Sequence, residues 1–358
     1  MSRNTFFLEP VPPFRLDLTA WTLRRRADNA IDRWDGTAYR RALALPSGPM
    51  EVAVVQEGPP EAARLRVTVH GAPLNPEVKQ AVTAALERLL GLRIDLAAFY
   101  DLASRDTELG PLAERFRGMK PPRFPSVFEG VVNSIACQQV TLTLGIRLLN
   151  RLAEICGLAV AGEEGPVRAF PRPEDLARLE PEALRELGFS RQKGRAMIEL
   201  AQISAEGHAE LEGLADVPDE EAVARLCLLR GVGRWSAEYV SLRALGRFNI
   251  FPGDDVGARK NLQRWLRLEG PLDYEAVGRN LTRWRPYGGL IYFHLLLDRL
   301  AEAGYLQAAG PRTGRDDHAG ASEPPSAVDR VDEASCDTFP ASDAPGWGPL
   351  IIGPPARE

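Results

Sequence analysis

Cysteine is scarce in this chain, four in 358 residues, and Cys137, Cys156, Cys227 and Cys336 lie too far apart for any Cys-x-x-Cys pair. That excludes the usual zinc and iron–sulfur ligand spacings and leaves small buried thiols. Histidine is as rare, again four, and the four form no constellation; His294 sits in an apolar helical stretch and reads as a core residue. No run approaches the ~18 uninterrupted apolar residues of a membrane span. Phe6-Phe7-Leu8 is cut off by Glu9 and Pro10 before it can form a secretory core, so a cytosolic protein is expected. An excess of positive charge is lacking too: 44 Lys and Arg against 49 Asp and Glu give −5. The deficit is local, because residues 308–358 hold nine acidic and four basic side chains. The body before them is neutral. It can carry a basic face, but no strong electrostatic grip on a polyanion.

What is present divides into three. Over residues 1–120, period-two stretches at 14–18, 50–54 and 65–69 predict half-buried antiparallel strands. Glu77 to Leu90, with Val78, Val82, Ala85, Leu86 and Leu89 on one stripe, predicts a helix. This is an α+β domain with a small antiparallel sheet. The joint Lys120-Pro121-Pro122-Arg123-Phe124-Pro125 opens a second, all-α domain over 121–307. Ser126 and Glu129 have capping-box spacing ahead of one long helix to about Cys156. Further helices are expected at 173–187, 191–206, 219–229, 234–245, 256–268 and 286–303. The third part, 308–358, is rich in Gly, Pro, Ser and Asp and is expected to be a disordered acidic tail.

The densest chemistry is at 228–239, Leu-Leu-Arg-Gly-Val-Gly-Arg-Trp-Ser-Ala-Glu-Tyr, followed by Phe251-Pro252-Gly253-Asp254-Asp255. Gly231 and Gly233 permit positive φ and close approach, so main-chain amides around Val232 and the start of the next helix suit a phosphate. Arg234 adds a charge-assisted bond. Of the two carboxylates, Asp254 is expected to cap the helix that follows, leaving Asp255 to face a cleft. No further ligands lie nearby for a metal.

The chain resembles the helix–hairpin–helix DNA glycosylases, in the 3-methyladenine DNA glycosylase II branch that acts on alkylated bases. The resemblance runs over about 126–305. It rests on Phe128-Glu129, Ile135-Ala136-Cys137-Gln138-Gln139-Val140, Leu187-Gly188-Phe189-Ser190 with Lys193, and Leu229 to Ala237. Asp255-Val256-Gly257 and Arg283-Trp284-Arg285-Pro286-Tyr287 complete it. It is weaker over the N-terminal domain.

The resemblance implies base excision on double-stranded DNA: a damaged nucleotide is flipped out and its N-glycosidic bond cut. Asp255 aligns with the catalytic aspartate, whose charge stabilises the oxocarbenium-like sugar. Trp235 stands where glycosylase-lyases carry a lysine, which implies a monofunctional enzyme. Trp235, Tyr239 and Gln138 match the base pocket, where an electron-rich face suits a cationic base. Gln139 matches the residue that fills the gap in the duplex, and Gly231, Val232, Gly233, Arg234 and Ser236 match the DNA-binding hairpin. Lys193 reads equally as a phosphate contact or an exposed lysine. Gly288 departs from the arginine many relatives have there, and Leu296 falls near a position aromatic in some. No cofactor is implied beyond a possible monovalent cation at the hairpin. A monomer is expected, nucleoid-associated if bacterial. A non-catalytic DNA-binding module, a glycosylase of another lesion class and a glycosylase-lyase are the competing readings.

Overall fold

The computed structural model describes residues 4–306; the acidic tail and Cys336 lie outside them. The N-terminal part contains β1 (Thr5–Leu8), α1 (Leu16–Arg24), β2 (Arg33–Trp34), β3 (Ala38–Leu45), β4 (Gly48–Glu57), β5 (Arg64–His70) and α2 (Pro76–Leu89). The strands make one antiparallel sheet in the order β1-β5-β4-β3-β2. Alternation sets its core face: Leu65, Val67 and Val69 on β5 and Met50, Val52 and Val54 on β4 are buried with Val78, Val82, Leu86 and Leu89 of α2. Asn75 caps α2 by accepting from the Val78 amide, and Pro76 fits its first turn.

Residues 14–18, expected as a strand, instead lead into α1. Leu16, Leu18, Thr19, Ala20, Trp21, Thr22 and Leu23 are all buried. A helix buried on most of its faces shows no clean 3.6 period, and the short alternation at its start was coincidental.

Next come α3 (Ala97–Ser104), α4 (Leu109–Arg115), α5 (Val127–Cys137), α6 (Leu142–Cys156), β6 (Ala159–Gly162), β7 (Gly165–Arg168), α7 (Pro173–Leu176), α8 (Pro181–Glu186) and α9 (Arg191–Ala205). They are followed by α10 (Asp219–Cys227), α11 (Arg234–Val240), α12 (Val256–Trp265), α13 (Tyr274–Leu281) and α14 (Gly288–Glu302). A π-helical turn at Ser241–Leu245 extends α11.

Two helical cores result. One joins α5, α6, α9, α10 and α11. The other joins α12, α13 and α14 to α3, α4 and Trp21 of α1. Thus helices from before the proline joint build the second helical core, and packing crosses the joint that composition marks.

Three helical expectations change. The stretch from Ser126 breaks at Gln138–Thr141, where Gln139 takes φ 54 and Thr141 starts α6 as a new cap. The capping box is half made: Ser126 accepts from the Glu129 amide, but the Glu129 carboxylate pairs with Arg41. Residues 173–187 split before Pro181, which cannot continue a helix from the preceding turn and instead opens α8. Residues 159–168, inside the domain expected to be all-α, form the β6–β7 hairpin, whose Glu163 amide donates to Glu51 on β4 at 2.7 Å.

A buried ion cluster fastens the sheet to α5. Arg41 on β3 bonds Asp32 at 2.7 Å and Glu129 of α5 at 2.5 Å, and the Tyr39 hydroxyl donates to Asp32 at 2.7 Å. Burial pushes the Glu129 carboxyl up, and Arg41 opposes that shift. No helix among the described residues is long and apolar enough to cross a membrane.

Candidate active site at the hairpin and the aspartate loop

The hairpin joins α10 to α11. Gly231 sits at φ 75, where a Cβ would lie 3.0 Å from that of Ala196 on α9, so glycine is required for both reasons. The Val232 side chain is buried, and its amide donates to the Leu229 carbonyl at 3.1 Å. That amide, expected to face phosphate, is therefore engaged within the turn. Gly233 caps α11 in an extended conformation.

Ser236 and Gln138 also differ from expectation. Ser236 is fully buried and receives the Gln138 amide Nε2 at 2.8 Å; the same nitrogen donates to the Gly231 carbonyl at 2.7 Å. Ser236, expected at the DNA, thus supports the turn from beneath. Gln138, expected in the base pocket, lashes the α5–α6 loop to the hairpin. Lys193 is not a freely solvated lysine. Its Nζ donates to the carbonyls of Ala136 and Gln138 at 3.0 and 2.5 Å, and burial lowers its pKa. Held from two sides, the loop presents Gln139, exposed, at its apex. A monovalent cation at the hairpin would share the Leu229 and Gly231 carbonyls with these protein donors.

Asp255 combines the two roles that the sequence divided between the aspartates. Asp255, not Asp254, is the N-cap of α12: its Oδ1 accepts from the Ala258 amide at 2.8 Å. Its Oδ2 receives the Trp235 indole N–H at 3.3 Å and the Tyr292 hydroxyl at 3.4 Å. The residue is 4% exposed. One oxygen caps while the other meets an aromatic wall, and the helix N-terminus favours negative charge there. Asp254 pairs with Arg234 at 2.6 Å, and the Arg234 guanidinium lies 3.9 Å from the centre of the Tyr274 ring. Arg234, expected on phosphate, is half-exposed and paired with the aspartate loop.

Glu238 fixes that loop to α11. Its Oε2 accepts from the Gly253 amide at 3.1 Å and its Oε1 from the Tyr274 hydroxyl at 2.5 Å. Burial raises the Glu238 pKa against the pull of these donors. A Cβ on Gly253 would stand 2.6 Å from the Tyr274 ring, which explains the glycine before the carboxylates.

The wall itself is aromatic. Trp235 and Tyr239 stack with ring centres 5.4 Å apart, and Tyr292 on α14 meets Phe251 edge-on at 5.7 Å. Burial, and then the nearby Asp255 charge, hold the Tyr292 phenol well above its usual pKa. Tyr239 Oη donates to Asn133 Oδ1 at 3.1 Å and accepts from Arg25 at 2.7 Å. Sequence reading missed Tyr292, Asn133, Arg25 and Glu238. A signal for Tyr292 existed: it lies one turn before Leu296, the position the resemblance singled out on this helix. His294 is a core residue, its Nδ1 2.7 Å from the Leu290 carbonyl, and burial lowers its pKa to about 4. Gly288 begins α14 against Phe251 and Asn249. A hollow of about 270 Å³ lined by Ile155, Cys156, Asp175 and Arg178 includes none of the site residues.

Comparison with known proteins assigns the family. The profile of HhH-GPD superfamily base excision DNA repair proteins matches residues 132–286, and that of the AlkA N-terminal domain matches 5–126. DNA-3-methyladenine glycosylase 2 of Escherichia coli is 26% identical over 79% of this chain and 94% of its own length. A DNA-3-methyladenine glycosylase of Bacillus subtilis is 29% identical over 62% of this chain and 74% of its own. Among solved structures, a 3-methyladenine DNA-glycosylase from Archaeoglobus fulgidus superposes with a TM-score of 0.72 at 28% identity, over 82% of this chain and 98% of that one. With the two profiles following one another along nearly all of the described residues, the chain belongs to the HhH-GPD superfamily of base excision DNA repair proteins, in the branch that carries the AlkA N-terminal domain.

Proposed function

We propose that the protein is a monofunctional DNA glycosylase that extrudes alkylated purines from duplex DNA and hydrolyses their N-glycosidic bond, acting as a monomer. The observation that carries the proposal is the setting of Asp255: a buried carboxylate with one oxygen on the Ala258 amide and the other against Trp235 and Tyr292.

The chemistry follows from that setting. As the C1′–N bond breaks, its electron pair leaves with the base and positive charge develops on the sugar. A fixed anion nearby stabilises that charge, and water then adds at C1′ and gives up a proton. An N-alkylated purine is already cationic, so its departure needs little acid help. The faces of Trp235, Tyr239 and Tyr292 suit such a base, by stacking and by cation–π attraction. Gln139, exposed at the loop apex, fills the vacated stack. By the resemblance, Trp235 stands where glycosylase-lyases carry a lysine, and it has no amine to serve as a nucleophile. No step calls for a cofactor.

The test is base release. Purified protein is incubated with duplexes carrying N-methylated, deaminated or oxidised purines, and free base is measured alongside borohydride trapping. Release of methylated purines without a trapped adduct is expected. Exclusive release of oxidised bases, or a trapped adduct, overturns the proposal.

A further inference from the structure

Arg25 belongs to the N-terminal domain, yet its guanidinium ends in the helical core. It closes α1 at φ 60 and is 4% exposed. Its Nη1 donates to Tyr239 Oη at 2.7 Å and its Nη2 to Asn133 Oδ1 at 3.1 Å, while Tyr239 Oη donates to the same Asn133 oxygen at 3.1 Å. The donor count fixes the arrangement. A guanidinium only donates, so Tyr239 Oη must accept from it, and the single phenolic proton goes to Asn133. The ring so fixed stacks on Trp235, whose indole N–H meets Asp255.

These bonds differ from a domain-joining ion pair. Arg41 makes such a link with two carboxylates. Arg25 instead bonds a neutral phenol and a neutral amide, and its Nε is buried without a hydrogen-bond partner. A second guanidinium, Arg243, lies 5.6 Å from the centre of the same Tyr239 ring. Placing a buried cation on two neutral groups is a poor device for stability. It is a good one for holding a ring in a single pose.

We infer that Arg25 is a positioning residue of the base pocket, through which the N-terminal domain holds the Tyr239 ring on which an extruded base stacks. The inference rests on the glycosylase proposal. It adds that base binding requires the N-terminal domain, through one side chain that touches no substrate.

The experiment is a double-mutant cycle in the full chain, with Arg25→Met, Tyr239→Phe and the pair, read as kcat/KM for excision of a methylated purine. Affinity for undamaged duplex is measured in parallel. Arg25→Met is expected to lower kcat/KM about tenfold, the scale of a hydrogen bond to a charged donor, with undamaged-DNA binding unchanged. Arg25→Lys, which keeps one charged donor, stays within about threefold of the parent. In the Tyr239→Phe background, Arg25→Met costs nothing further. Should Arg25→Met not fold, Arg25→Gln takes its place in the same cycle. Additive losses in the double variant, or parental excision by a folded Arg25→Met or Arg25→Gln protein, overturn the inference. A parent protein that releases no base from any duplex sinks the glycosylase proposal itself, an outcome the parent arm alone reports.

Discussion

Two aspartates in this molecule are buried to almost the same degree, Asp32 at 3% and Asp255 at 4% exposure, yet their surroundings differ. Asp32 lies between the Tyr39 hydroxyl and the Arg41 guanidinium, both at 2.7 Å, in a cluster closed by Glu129. Its charge is met at short range by a cation of the protein. Asp255 is held by one short amide bond and by indole and phenol donors at 3.3 and 3.4 Å. Dipoles of this kind orient a carboxylate without cancelling its charge. The first arrangement joins a sheet to a helix. The second sets one carboxylate oxygen against the aromatic wall of Trp235 and Tyr292.

The contrast can be broken at either end. The largest expected effect is on the first cluster. Arg41→Met leaves Asp32 and Glu129 buried without their shared cation and should cost about 3–5 kcal/mol of stability, read by denaturant unfolding. Excision per folded molecule should persist, and a selective loss of catalysis without loss of stability would blur the distinction drawn here.

A second effect concerns pH. His294 is neutral in the fold, its pKa lowered by burial to about 4 from 6.5. Below pH 6.5 the unfolded chain binds a proton that the folded chain refuses. Stability is therefore full above about 6.5 and falls as pH drops toward 4, by ~3 kcal/mol from this group. His294→Gln should flatten that part of the stability–pH curve; an unchanged slope would remove His294 as its cause.

The smallest effect separates the neighbours in the aspartate loop. The half-exposed Arg234–Asp254 pair has little leverage, so Asp254→Ala should change stability by less than about 1 kcal/mol and excision by less than about threefold. A loss as large as that from altering Asp255 would show that the loop, rather than one carboxylate, carries the chemistry.

What sequence revealed and what it hid divide by distance along the chain. The hairpin, from Leu229 to Trp235, and the Gly253-Asp254-Asp255 loop are local patterns, in which glycine positions and carboxylates can be read directly. Which aspartate caps α12 was not readable, because both stand at the helix entrance and the choice depends on Glu238, 15 residues away, holding the Gly253 amide. Arg25 and Tyr239 are 214 residues apart. Nothing local brings them together, and the buried sides of α1 hid even its helicity. The resemblance places Gln138 at the base pocket and Ser236 at the DNA-binding hairpin, while their mutual bond spans 98 residues. The β6–β7 hairpin forms against the sheet's central strand, β4, through Glu51 and Glu163, a contact no window of sequence contains.

The most direct test is to remove the charge of Asp255 while keeping its shape. Asn caps a helix as well as Asp does, so Asp255→Asn should fold with parental stability and bind methylated duplex as before. Its single-turnover excision should fall by about 10²–10³-fold, the scale for losing one preorganised electrostatic group. Excision at the parental rate by a folded Asp255→Asn protein would contradict the account.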